Sequence, residues 1–179
     1  RPGASRQRWK EGLTLGFTNS RRYAVGCVGN MTAHNMMALY IAGVCFDTPG
    51  WRQAAADFLR RTVEEQEHGG YWSEHCGPVI GYNRVYVELL GIHYHFSQDE
   101  SVLDALRRAA LFHASVLLPD GSDTPGIDER QLYHDRPNIG NVGFSFSAEG
   151  RGYLLLQLQR YMGENRRLVS PDYAANMLL

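Results

Sequence analysis

The chain holds 179 residues, 44% of them hydrophobic and 21% charged, with a formal net charge of -1. The length suits one domain, and so small a net charge gives no field that would draw nucleic acid or an anionic membrane. No apolar run reaches the roughly 20 residues that span a bilayer; the longest candidate, Met36 to Phe46, is too short.

Arg1 to Lys10 is polar and no apolar stretch follows, so no signal peptide is expected within this chain. Residues 1–28 give no clear element beyond a brief strand candidate at Tyr23-Ala24-Val25. From Thr32 onward helix signals dominate. Asn35 to Phe46 is apolar nearly all round and contains Gly43, the mark of a helix buried on several sides. Cys45 in that run is expected to pack as a small hydrophobe. After the turn Asp47-Thr48-Pro49-Gly50, the residues Trp51, Ala55, Phe58, Leu59, Thr62 and Val63 fall on one helical face, predicting an amphipathic helix over 51–67.

The pattern then repeats. A loop from His68 to Pro78 leads into a second helix apolar all round, Val85 to Phe96, with Gly91 inside. The turn Ser97-Gln98-Asp99-Glu100 follows, with Asp99 or Ser101 as N-cap of an amphipathic helix on Leu103, Leu106, Ala110, Ala114 and Leu117. A long loop, Pro119 to Ser147, includes a second strand candidate, Val142-Gly143-Phe144. A third apolar helix is expected around Leu154 to Leu158, and a short last one over Pro171 to Leu179.

Buried helices alternating with amphipathic ones predict an all-α fold of antiparallel helical hairpins, an α/α-toroid-like domain covering residues 1–179. At about 40 to 50 residues per hairpin a closed six-hairpin barrel needs roughly 300 residues. The expected form is therefore an incomplete barrel or arc, part of a larger toroid. The flanks left open would associate with a second copy or with missing chain.

The three cysteines, Cys27, Cys45 and Cys76, form no C-x-x-C, and no H-E-x-x-H, EF-hand or phosphate loop occurs. No metal and no cofactor are expected. His93 and His95 lie two apart and point to different helix faces, so they and His113 read as structural. The stretch richest in chemistry is Gly69-Gly70-Tyr71-Trp72-Ser73-Glu74-His75-Cys76-Gly77-Pro78, followed by Tyr82-Asn83-Arg84-Val85-Tyr86. A polar, aromatic loop feeding directly into a helix is a common seat for binding or catalysis. Trp72 reads as an exposed-loop aromatic, either a platform for stacking on a sugar or an anchor for the loop.

Three segments, Asn30 to Tyr40, Gly69 to Leu90 and Leu118 to Phe146, resemble the α/α-toroid domain of the heparinase II/III-like polysaccharide lyases, including oligoalginate lyases. The resemblance implies an acidic polysaccharide or oligosaccharide as partner, cleaved by β-elimination next to a uronate. It also implies a periplasmic or secreted setting. Such a reaction must neutralise the C6 carboxylate, remove the C5 proton and protonate the O4 leaving group. Tyr82 matches the position of the family's catalytic tyrosine, with His75 as partner base and Tyr86, one turn on, in reserve. His34 and Asn35 match the carboxylate contacts, and Arg84 is a suitable third donor. Trp72 and Glu74 complete the expected substrate-binding loop. Two other readings stand beside this one. A glycoside hydrolase would draw two carboxylates from Glu74, Asp123, Asp128, Glu129 and Glu149. A non-catalytic glycan-binding or scaffolding arc would need neither.

Overall fold

A computed structural model describes residues 2–75, 77–124, 127 and 141–164. The fold is all-α. Among the described residues, strand pairing is confined to two isolated bridges, Glu74 with Gly77 and Leu117 with Asp123. The helices are α1 Pro2–Ser20, α2 Asn30–Cys45, α3 Pro49–Glu64, α4 Ile80–Ser97, α5 Glu100–Ser115, α6 Val142–Ser145 and α7 Ala148–Glu164, with a 3₁₀ turn at Arg21–Val25. They fall into two compact units, one through Glu64 and the other from Glu65.

In the first unit, α2 and α3 pack together across the turn Phe46-Asp47-Thr48. The α3 face is the one its periodicity predicts, with Trp51, Ala55, Phe58, Leu59 and Thr62 buried. Arg61 donates to the carbonyls of Ala24 (2.6 Å) and Gly26 (3.2 Å), which fastens the 3₁₀ segment to α3. Tyr23 to Val25 is thus helical, not a strand. The expectation of an all-round buried α2 is also corrected. Ala33, Met36, Met37, Leu39, Ala42 and Gly43 are buried, whereas Met31, His34, Asn35, Val44 and Cys45 are exposed. Apolar composition hid this wet side, and Cys45 lies on it rather than in the core. The segment 1–28, which gave no clear element, carries α1, anchored near its end by Phe17 against Trp51 with ring centroids 5.8 Å apart.

In the second unit α4 is the centre. Ile80, Asn83, Tyr86, Val87, Leu89, Leu90, Gly91 and His93 are all buried, while Glu88 and the last turn are wet. The Asp99 carboxylate accepts from the Ser101 amide at 3.0 Å, the predicted cap of α5. The buried α5 face is Val102, Ala105, Leu106, Ala109, Ala110, Phe112 and His113; Ala114 is exposed, so the helix is rolled from the expected setting. The roll brings Phe112 and His113 inward, and Phe112 meets Tyr71 at 5.2 Å between ring centroids. Val142 to Phe144, read from sequence as a strand candidate, is the short helix α6, capped by Asn141. In α7 the buried positions are Gly150, Tyr153, Gln157 and Tyr161, and Leu155 and Leu156 are exposed. The expected helix over 171–179 lies outside the described residues.

Helix α6 reaches α4 through two glycines. A Cβ on Gly143 would run into the Val87 carbonyl oxygen, and one on Gly91 into the Gly143 Cα. Both obstacles are backbone, so neither can swing aside. Gly143→Ala is therefore expected to destabilise the second unit by about 1–3 kcal/mol, the usual cost of overpacking, or by more if α6 detaches. Urea unfolding checks this; an unchanged midpoint would mean that α6 does not pack on α4 as described.

Candidate active site

The site is built where the loop 65–79 meets the start of α4. The loop is pinned first to α5. Buried Gln66 donates through Nε2 to the carbonyls of Gly70 (3.1 Å) and Ala105 (2.9 Å). Gly70 has φ +85°, and a side chain there would strike the Arg108 carbonyl, so this tight passage needs glycine. The loop is pinned next to α4 by Asn83, which is 1% exposed. The Trp72 amide donates to Asn83 Oδ1 at 2.6 Å, and Asn83 Nδ2 donates to the carbonyls of Trp72 (2.9 Å) and Val79 (3.1 Å). Beyond Trp72 the chain closes a small turn, with paired amide–carbonyl bonds between Glu74 and Gly77 at 2.9 and 3.1 Å. His75 sits in that turn with φ 56°, the left-handed region that is strained for a non-glycine residue and common at functional sites.

This framework brings together most of the residues predicted from sequence. Trp72 stacks on Tyr86, with centroids 4.9 Å apart and planes 21° from parallel. The Tyr86 hydroxyl donates to Glu74 Oε1 at 2.5 Å. Burial and the neighbouring Glu74 carboxylate hold the Tyr86 phenol far above the ordinary tyrosine range, so at neutral pH it is a fixed proton donor and not a base. Half-buried Tyr82 lies beside exposed His75, ring centroids 6.0 Å apart. The expectation of an exposed Trp72 is corrected: it is 2% exposed, because Tyr86 covers its face and Asn83 holds its backbone. The members of this cluster that solvent reaches are Tyr82, His75 and the half-buried Glu74, and Trp72 lies beneath Tyr86. His34 and Asn35 are exposed on α2 of the first unit.

A second cluster fixes the inner side of α4. Arg84 Nη2 donates to both Asp123 oxygens, at 2.8 and 2.7 Å, and to the Tyr153 hydroxyl at 3.2 Å. The Arg84 and Asp123 side chains are only 13% and 4% exposed. Burial opposes the Arg84 charge, yet Tyr153 and Asp123 outweigh it and raise its pKa. Arg84, expected to meet substrate, is thus engaged by Asp123, and Asp123 is a buried counter-ion rather than a mouth carboxylate. Asn141 Nδ2 donates to the Arg84 carbonyl at 2.9 Å, tying α6 to the same point. Glu149 pairs with Arg107 at 2.9 Å, and Asp128, Glu129 and Cys76 lie outside the described residues. No group of three or more metal-ligating side chains occurs among the described residues.

Sequence reasoning missed Asn83, Tyr153 and the role of Asp123. Only Asn83 had a local signal, an amide inside an otherwise apolar helix face. His113, read as structural, is 1% exposed and packs against Phe144 and Tyr153 with centroids 5.2 and 5.8 Å away. Burial and the Arg84 charge lower its pKa well below 6.5. The unfolded chain therefore takes up a proton at His113 before the folded one does. Its contribution is complete above about pH 6.5 and is lost as pH falls toward the folded pKa, at up to about 1.4 kcal/mol per pH unit. Thermal unfolding should show Tm falling below pH 6.5 more steeply for the native chain than for His113→Leu. Parallel curves would mean that His113 charges without cost.

No protein-family model, curated protein or solved structure matches this chain.

Proposed function

We propose that the mouth formed by Tyr82, His75 and Glu74 is a carbohydrate site, and that the protein is a polysaccharide lyase cleaving a uronate-containing glycan by β-elimination. The observation that carries this reading is the Tyr82–His75 pair. Two rings of suitable chemistry stand side by side at the exposed edge of a loop that Asn83 and the Tyr86–Glu74 bond hold in place. One group takes the C5 proton and the other returns a proton to O4, as general base and acid. Tyr82 is assigned the acid/base role and His75 its partner. Tyr86 is locked as a donor to Glu74 and orients that carboxylate instead. His34 and Asn35 enter as carboxylate contacts through the family resemblance alone. The α/α-toroid-like arc belongs to the same proposal: α2–α3 and α4–α5 are each helix pairs joined by a short turn, the unit that such an arc stacks.

A second reading, glycoside hydrolysis, is favoured by one observation, the Glu74 carboxylate fixed at 2.5 Å from a phenol donor. The two reactions leave different products. Incubation with uronate polymers should give an unsaturated product that absorbs in the ultraviolet. Reducing ends without that absorbance would instead select the hydrolase. Binding with no product at all would select a non-catalytic glycan-binding arc.

A further inference from the structure

The formal charge of -1 conceals a strong segregation. Residues 1–22 carry six basic side chains and one acidic one, Glu11, while the rest of the chain carries twelve and eighteen. Three of the six, Arg6, Arg8 and Lys10, surround Trp9 on α1, and all three are exposed. Trp9 is itself 72% exposed, an uncommon state for the largest aromatic side chain. Glu11 is engaged by Gln7, whose Nε2 donates to it at 2.8 Å. Within the first unit, this part of α1 lines a cleft of about 610 Å³, whose other wall is the corner after α2 at Phe46 and Asp47.

We infer that this cleft of the first unit is a binding site for an acidic sugar segment. Arg6 and Lys10 lie four apart and share one helix face, where they can pair with carboxylate or sulfate groups. Gln7 and Asp47 are suited to hydroxyls; Asp47 is 92% exposed and only loosely paired with Arg52 at 3.7 Å. The Trp9 ring, flanked by cations, offers a face for the C–H side of a pyranose. The volume falls within the range of small-ligand clefts, large enough for one or two sugar units. Charge alone would suit any polyanion, and two features favour a sugar. Cations and apolar residues share the same α1 face, Arg6 and Lys10 with Leu13, instead of parting into the two faces of a membrane-surface helix. The Asp47 carboxylate on the opposite wall disfavours closely spaced phosphates. The choice of an acidic glycan rests on the function proposed above; the cleft and its charge do not.

The test is calorimetric titration of the full chain with oligomannuronate and oligogalacturonate, against cellohexaose, single-stranded DNA and phosphatidylglycerol vesicles. The acidic oligosaccharides should bind, more weakly as salt rises, and cellohexaose should not. Arg6→Glu/Lys10→Glu should weaken binding by about tenfold or more, from two exposed ion pairs turned into repulsions. Trp9→Ala should weaken it as well, and Arg6→Gln/Lys10→Gln should give an intermediate loss. Equal affinity in the α1 variants, or tighter binding of DNA or vesicles than of uronate, would overturn the assignment. Loss of binding in the α1 variants without any glycan cleavage by the native chain would uphold this site and remove the lyase reading.

Discussion

Tyr82→Phe is expected to slow glycan cleavage by about 100- to 10,000-fold, the usual loss when a general acid or base is removed. Its thermal midpoint should stay close to that of the native chain. The ring is only half-buried beside His75 at the mouth, where water can replace the hydroxyl's partners. Tyr86→Phe gives the contrast. Its hydroxyl is committed to Glu74 and its phenol is held protonated, so it cannot serve as a base. Removing it takes one hydrogen bond from the Glu74 carboxylate, and the rate should fall far less than with Tyr82→Phe. Equal losses in the two variants would mean that the Trp72–Tyr86–Glu74 stack, not Tyr82, carries the chemistry.

Asp123→Asn is expected to unfold the second unit well below the native midpoint, with a loss of about 3–5 kcal/mol. That is the cost of leaving one partner of a buried ion pair without its counter-charge. The guanidinium of Arg84 would remain inside without the carboxylate that now accepts two of its hydrogen bonds. The double variant Arg84→Met/Asp123→Leu should recover much of this loss, because no charge is then buried. Cleavage should fall in Asp123→Asn even at temperatures where the chain is folded. Arg84 is two residues from Tyr82, and its carbonyl also receives Asn141, so its displacement moves the start of α4. Denaturant unfolding of both variants measures the effect. A single variant as stable as the native chain would show that water reaches the pair.

The helices were legible because each has a local cause. The α3 face follows from Trp51, Ala55, Phe58 and Leu59 at helical spacing, and Asp99 announces α5 through a side-chain cap that needs only its neighbour Ser101. What the sequence hid depends on partners far along the chain. Arg84 and Asp123 are 39 residues apart, and nothing near either residue reveals the pairing. Trp72 looks like a loop aromatic until Asn83 and Tyr86, more than ten residues on, bury it. The wet side of α2 was invisible for the opposite reason. Its exposed Met31, Val44 and Cys45 are as apolar as its buried Met36 and Leu39, so the period carries no contrast. At the candidate site, the loop and the helix start were readable as a cluster of types, whereas which tyrosine is locked and which is open required the hydrogen bonds.

Cleavage of a uronate polymer in oxygen-18 water, followed by mass spectrometry of the fragments, tests the central proposal most directly. β-Elimination adds no water across the broken bond, so the account predicts unsaturated fragments carrying no solvent oxygen. Hydrolysis adds one water per cleavage. Saturated fragments that carry one oxygen-18 atom at each new reducing end, and none at the new non-reducing end, would contradict the lyase assignment of Tyr82 and His75 and transfer the chemistry to Glu74.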